Sequence, residues 1–489
     1  MDSSRIPVLV GIAQINQRSD EPGDYVEPLD MMSQAIRLAA EDSGRTEILN
    51  LAEAIYVIKG LWSYKDPARA IAREIGSEGA TTIGTAYGGN MVQSCINDAC
   101  VAISRGEISV AIMAGAEIGR SISRARKSGT QLKMREADGA PDRALGEFKS
   151  MLHPLEKKHR VDQPVHWYSL FDSAIRYQRG ESLDEHRKRI SELWASLNAV
   201  AVKNPHAWIR NEVSAEEIRT PSAANRMIGF PYTKLMNANS RVNQGAALIL
   251  CSLAQAEKLG IPAEKYIFPH SGSEGHDPSF LSNRNDFHSS PAIRMAGAKV
   301  LELSGIGTDD LTHVDLYSCF PSAVQVAATE LGLSQKRPLS VTGGLTFGGG
   351  PLNDYVMHSV TRMAEVLRED AGTYGLVTAN GGALTKHALG VYSTKIPAEG
   401  FQYASVQNEV DSLGQCEIVD DHHGEVTIEA YTVTYDSHGP ARVIAACRLK
   451  DGRRAWATRD EPSLASAMTT EEFCGRTAHR SPEGLLTPH

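Results

Sequence analysis

Apolar and polar positions alternate in blocks along the first 120 residues. Residues 7–14 (PVLVGIAQ) form an apolar run closed by polar positions, the pattern of a buried strand. Helical spacing follows over 29–40, a second strand over 54–58 (AIYVI), a short third over 81–84, a helix over 91–105, and a fourth, central strand over 110–114 (VAIMA). Strands separated by helices predict an α/β body with a mostly parallel sheet covered on both faces.

From about residue 120 to 233 this alternation stops. Arg120, Arg124, Arg126, Lys127, Arg135, Lys149, Lys157, Lys158 and Arg160 gather positive charge in a polar stretch, and an amphipathic helix follows over 184–202. This reads as an inserted loop domain. Residues 246–250 (AALIL) return the chain to the sheet, and a second alternating set begins near Tyr266, with strands at 313–317 and 373–378 and helices near 322–331 and 354–367. Two βαβ sets of similar plan suggest an internal duplication. Beyond Pro397, residues 425–435 (EVTIEAYTVTY) alternate strictly. Asp436-Ser437-His438-Gly439-Pro440 then signals a turn, and 442–448 (RVIAACR) answers it. An added antiparallel β module follows from this, either a small OB-like barrel or a split β-α-β unit. The expected divisions are 1–119 and 236–262 for the first half, 120–235 for the insertion, 263–398 for the second half and 399–489 for the module.

Composition narrows the function. The 489 residues carry 50 Lys+Arg against 59 Asp+Glu, a net charge of -9, which argues against binding a nucleic-acid backbone. No apolar run approaches the roughly 18 residues of a membrane span. No hydrophobic stretch follows Met1-Asp2-Ser3-Ser4-Arg5, and Leu486-Thr487-Pro488-His489 is not a targeting address. Seven cysteines without a CxxC pair point to a reducing compartment and no structural metal. The expectation is a soluble cytoplasmic enzyme with a small-molecule substrate, no nucleic-acid or membrane partner and no metal.

Six stretches, taken in order, then resemble one family. They are Gly88-Gly89-Asn90-Met91-Val92-Gln93-Ser94, Met113-Ala114-Gly115-Ala116-Glu117, Arg241-Val242-Asn243-Gln244-Gly245-Ala246-Ala247, Tyr317-Ser318-Cys319-Phe320, Gly343-Gly344 through Pro351, and Asn380-Gly381-Gly382-Ala383. Their order and spacing resemble the thiolase superfamily, and the extra C-terminal module resembles its thiolase-like protein type 1 branch. The resemblance implies a duplicated fold of two βαβαβαββ halves in five α-β-α-β-α layers, a loop domain between them, and coenzyme A as ligand or substrate. It also implies either a monomer or a homodimer paired through the first sheet, an edge that an appended domain can block.

The departures bear on mechanism. A thiolase needs a nucleophilic cysteine at a helix N-terminus; in register with Gln93, that position is Gly88. The family's Asn or His in its second-half motif is Tyr317, the His of its Gly-His-Pro motif is Gly350, and its last cysteine falls at about Thr378. Ping-pong thiolysis through an acyl-cysteine is therefore not expected. Gly88, Gly89 and Asn90 at a helix start, with Asn380, Gly381 and Gly382, are the candidate oxyanion site. His387 is the candidate base, with Lys386 beside it for an anionic substrate, and Tyr317 the candidate acid. Cys319 is a candidate replacement nucleophile. Tyr355 and His358, at i,i+3, have the Tyr-x-x-His spacing of thiolase-fold aldolases, against the bland alternative of a packed aromatic and a surface histidine. The readings kept open are coenzyme A-dependent retro-Claisen cleavage or formation of a β-keto acid or β-ketoacyl-CoA, retro-aldol cleavage of a β-hydroxyacyl-CoA, and acyl-CoA binding without catalysis.

Overall fold

The computed structural model describes residues 2–19, 21 and 24–489, so Met1 of the N-terminal stretch lies outside it. The chain opens with β1 (Pro7–Asn16), α1 (Pro28–Ser43), β2 (Ala54–Val57), α2 (Pro67–Ile75), β3 (Thr81–Thr85), α3 (Met91–Arg105) and β4 (Val110–Ile118). Helices α1 and α2 start on proline, and all three stop on a left-handed glycine, Gly44, Gly76 and Gly106, as helix ends demand. The insertion contributes β5 (Arg143–Leu145), two long helices (Pro164–Arg179 and Leu183–Lys203), and the short strands β6 (Met227–Gly229) and β7 (Tyr232–Thr233), before β8 (Asn243–Ser252) completes the first half. The first sheet runs β1-β8-β4-β2-β3-β5, with β8 antiparallel to both its neighbours.

Both faces of that sheet are apolar, and the period of two assigns each residue to one of them. Val8, Val10, Ile55, Val57 and Ile112 pack toward α1 and α2, whereas Leu9, Tyr56, Met113 and Leu248 join the central core that holds α3. The second half supplies β9 (Phe268–His276), β10 (Leu311–Asp315), β11 (Tyr374–Gly381), β12 (Lys386–Ser393) and β13 (Gln402–Ser405), ordered β10-β11-β12-β9-β13. Helix α3 and the helix Tyr355–Glu369 lie between the two sheets, and the helix Pro291–Ser304 covers the outer face of the second. The architecture is the duplicated, five-layered α/β fold that the sequence led us to expect. Among the boundaries that shift, one bears on a candidate residue: the strand expected at 313–317 ends at Asp315, so Tyr317 lies past it in the loop, its N–H donated to Thr378 Oγ1 at 2.9 Å. The strands expected at 110–114 and 373–378 run on to Ile118 and Gly381.

The C-terminal module is a sheet of β14 (Gly424–Asp436), β15 (Gly439–Arg448), β16 (Arg454–Arg459), β17 (Thr477–Arg480) and β18 (Leu486–Pro488), ordered β16-β15-β14-β17-β18, with β6 of the insertion docked on β14. Its ends meet at a bridge between Thr458 and Leu485, so the strip curls into a small barrel around Ile428, Val433, Val443, Met468 and Phe473. At the other side of the molecule β5 pairs with the outer edge of β3. The edge is thus covered, and the inserted segment covers it rather than the appended module.

Candidate functional site

Helix α3 begins in the middle of the molecule. Its cap residue, Asn90, is buried at 2% exposure and makes no side-chain capping bond. Its Oδ1 has no partner, and its Nδ2 reaches only Met91 Sδ at 3.7 Å. The glycines before it are required by close approach. A Cβ at Gly88 would lie 2.5 Å from Asn90 Oδ1; one at Gly89 would lie 2.4 Å from the Asn380 carbonyl and 2.6 Å from the Tyr317 hydroxyl. Gly381 faces Asn90 Oδ1 in the same way, at 2.6 Å.

On the Asn380 side the site is closed. Tyr317, Thr378, Asn380, Leu384 and His387 surround a void of about 10 Å³, which is the size of one water at most. Tyr168 from the insertion seals it. Its hydroxyl donates to the Gly382 carbonyl at 3.1 Å, accepts from Asn380 Nδ2 at 2.8 Å and from the Leu384 N–H at 3.2 Å, and its ring stacks on Phe320 at 4.6 Å. His387 is buried, with Nε2 3.1 Å from the Leu384 carbonyl and 3.5 Å from Asp277. Burial alone would raise the Asp277 pKa, but Arg284 and His387 hold it at about 2. Burial pushes the Cys319 thiol up to about 12, which removes it as a ready nucleophile at neutral pH, and pushes the Tyr317 phenol up as well.

On the other side of β12 the site is open. A cavity of about 600 Å³ starts at Asn90 and follows the face of α3 that carries Ser94, Asn97 and Asp98, with the second sheet as its far wall. Strand alternation decides what that wall presents. Lys386 pairs across the ladder with His276, and Glu274 lies two residues along on the same face. His387 pairs with Gly275 and points the other way, into the closed void. Glu274 accepts from Ser94 Oγ at 2.8 Å and from Asn97 Nδ2 at 3.0 Å, and burial raises its pKa. Burial, with His387, Lys386 and Lys149 nearby, lowers His276 to about 4, so this imidazole is neutral at pH 7. Burial and then Lys149 lower the Lys386 amine. Glu274, His276, Ser94 and Asn97 were not marked by the sequence. The available signal was a charged residue and a histidine in a Ser/Gly-rich stretch, Ser271-Gly272-Ser273-Glu274-Gly275-His276.

The remaining candidates lie elsewhere. The Tyr355 hydroxyl shares a bond with Thr342 Oγ1 at 2.7 Å and donates to Asp315 at 3.2 Å. His358 is buried rather than at the surface, with Nδ1 2.9 Å from Gln14 Oε1 and its pKa lowered to about 3 by burial. Neither lines the cavity or the void. Gly350 donates its N–H to the Asn239 carbonyl at 3.0 Å. Much of the insertion's positive charge is engaged in ion pairs, Arg135 with Glu27, Asp30 and Glu74, and Lys158 with Asp420; Lys149 lines the cavity together with its own partner, Glu147, at 3.2 Å. Among the described residues no group of His, Cys, Asp and Glu is placed to hold a metal ion, and no helix is long and apolar enough to cross a membrane.

Comparison with known proteins follows the same lines. Residues 405–484 match the family described as thiolase-like protein type 1 additional C-terminal domain. The crystal structure of a monomeric SCP2-thiolase-like protein type 1 from Mycobacterium smegmatis superposes with a TM-score of 0.83 at 30% identity, covering 99% of each chain. An Ltp2–ChsH2(DUF35) aldolase shares the fold at 17% identity, with a TM-score of 0.61 over 80% of this chain and 98% of that one. Benzoylsuccinyl-CoA thiolase subunit BbsB of Thauera aromatica is 27% identical over 136 residues, 28% of this chain and 33% of that subunit, so the chain matches only a third of its length.

Proposed function

The chain belongs to the SCP2-thiolase-like protein type 1 family, and from that premise we propose that it makes or breaks the carbon–carbon bond beside the carbonyl of a β-keto acid or β-ketoacyl-CoA. Coenzyme A is the co-substrate, and no acyl-cysteine forms. The observation that carries this reading is the cavity itself. It runs from Asn90, whose buried Oδ1 has no partner, past Lys386, the neutral His276 and Lys149, the last paired with Glu147 at 3.2 Å. The polar set fits a thioester of coenzyme A: Asn90 Nδ2, held only by its long contact to Met91 Sδ, can donate to the carbonyl end, Asn90 Oδ1 can accept from an amide N–H of the coenzyme, and lysines suit its charges.

Coenzyme A supplies the thiol that adds to the β-carbonyl. The thiol passes its proton to the amine of Lys386, whose lowered pKa favours the neutral form that can accept it, and the ammonium so formed stabilises the thiolate. His276, held neutral, donates a hydrogen bond to the reacting carbonyl rather than a full charge. Asn90 turns its weakly engaged Nδ2 to the thioester oxygen, and Glu274, its pKa raised, hands a proton to the carbanion that the cleaved bond leaves. His387 and Tyr317 act only if the closed void opens. The retro-aldol reading has less support, because Tyr355 is tied to Thr342 and Asp315 away from the cavity. With the β3 edge covered, a monomer fits this arrangement.

The test is incubation with coenzyme A and a panel of β-keto acids, β-ketoacyl-CoAs and β-hydroxyacyl-CoAs, read by mass spectrometry beside His276→Ala and His387→Ala. Acyl-CoA formed from β-keto compounds, and reduced more in His276→Ala, supports the cavity as the site of reaction. Loss confined to His387→Ala places the chemistry on the closed face. Coenzyme A bound without turnover leaves an acyl-CoA binder.

A further inference from the structure

Lys386 is half-buried in the cavity wall without a counter-ion. Its Nζ makes one long hydrogen bond, 3.3 Å, to the Tyr87 carbonyl, and no carboxylate among the described residues is within ion-pair distance of it. Lysines removed from water are as a rule paired. This one instead shares its cavity with Lys149, which has its own partner in Glu147 at 3.2 Å, and burial and the Lys149 charge both lower its pKa, favouring the neutral, nucleophilic amine. Its position matters as much as its charge. Lys386 Cδ lies 3.8 Å from where a Cβ at Gly88 would be, so the side chain passes beside the position that the register with Gln93 aligns with the cysteine of thiolases. Across the ladder it faces His276, and Glu274 is its diagonal neighbour on the same face, roughly 7–8 Å away between backbones.

We propose that Lys386 is a covalent catalyst whose ε-amino group forms an iminium with the ketone of a β-keto acid bound in the cavity. The proposal rests on the reading that this cavity takes a β-keto compound. The amine adds to the ketone carbon, forming the N–C bond while the C=O π pair moves to oxygen. One proton passes from nitrogen to that oxygen, Glu274 donates a second, and water leaves. In the iminium, the electron pair of the bond to the carboxylate moves toward the positive nitrogen and carbon dioxide departs. The enamine carbon then takes a proton from Glu274, recharged from solvent, and water hydrolyses the iminium to release a ketone and free Lys386. The unreactive Gly88 is thereby bypassed: an amine on the facing strand performs the covalent step that a cysteine on the helix cannot.

The experiment is borohydride trapping on the full chain with acetoacetate, read by intact mass and peptide mapping. Thermal-shift titrations with acetoacetate and acetoacetyl-CoA run in parallel. The expected result is a reduced adduct on the peptide carrying Lys386, at least tenfold above any other lysine, absent from Lys386→Arg and Lys386→Met variants whose melting curves match the parent. Binding without an adduct, or adducts spread evenly over exposed lysines, overturns the role of Lys386 and leaves the cavity reading intact. If neither compound binds, the cavity reading falls and the proposal with it.

Discussion

Glu117 ends β4 almost fully buried, with Oε1 accepting the Leu61 N–H at 2.8 Å. Burial, reinforced by the nearby Asp354, raises its pKa to about 7 against the bond from Leu61 and the charge of Lys59. Its folded pKa therefore exceeds the unfolded value, and the folded state holds the proton longer. Stability falls as pH rises from about 4.5 through 7 and levels off above, a loss of about 3 kcal/mol by linkage. Glu117→Gln keeps the acceptor and removes the titration. Urea midpoints should coincide for the two proteins near pH 4.5 and favour the variant at pH 8; equal midpoints at pH 8 would sink the argument. A second prediction concerns the glycines before α3. At Gly89 the obstacle is the Asn380 backbone, whereas at Gly88 it is the movable end of Asn90. Gly89→Ala should cost about 1–3 kcal/mol by overpacking and Gly88→Ala clearly less, by the same urea measurement. The sequence picked out Gly88, Asn90, Asn380 and Lys386, and the fold gathers them around the start of α3. It could not tell that His387 and Lys386 face different spaces, because adjacent residues of a strand point opposite ways and only the fold shows which side holds the open cavity.

At the scale of elements, β5 is three residues long yet closes the edge of the first sheet. It is pinned from below: Arg143 donates to Asp98 through both Nη atoms, and the Tyr56 hydroxyl donates to the same carboxylate at 2.7 Å. The Ala86 N–H in turn donates to the Leu145 carbonyl at 2.8 Å. Arg143→Ala should speed hydrogen exchange at Ala86 on the order of tenfold while the β2–β4 amides are unchanged. An unchanged Ala86 would mean that the ladder alone holds β5. Strands such as β4 and β14 were legible because buried apolar or strictly alternating runs mark them. β9, Phe268–His276, was not, since serine, glycine and a glutamate replace the apolar positions. Its Glu274 is tolerated inside through Ser94 and Asn97, some 180 residues away in sequence, and through Tyr403 of β13, and no local pattern announces partners so distant. β5 escaped notice for a related reason, as its only signal is a pairing.

At the scale of the molecule, the question is whether the C-terminal barrel is a separate body. Arg454, fully buried, donates through Nε and Nη2 to Glu429 at 2.8 and 2.9 Å and through Nη1 to the carbonyls of Ser282 and Arg284 at 2.6 Å, so one guanidinium joins barrel and second half. Arg176 of the insertion, equally buried, grips Glu472 of the module at 2.7 and 2.8 Å, and the Tyr431 N–H donates to Ser173 Oγ at 2.9 Å. Such links are costly to break from the arginine's side because the buried carbonyls it served are left unpaired, and from the carboxylate's side because a buried guanidinium is left without its partner. Arg454→Met should therefore lose about 3–5 kcal/mol, chiefly through the unpaired carbonyls of Ser282 and Arg284, and adding Glu429→Gln should recover none of it, since Glu429 keeps Arg448 at 2.7 Å. Since the links tie the barrel to both the insertion and the second half, calorimetry of the parent should show one transition with calorimetric and van't Hoff enthalpies in agreement. Two resolved transitions, with Arg454→Met shifting only one, would mean instead that the barrel folds by itself and merely rests on the α/β halves.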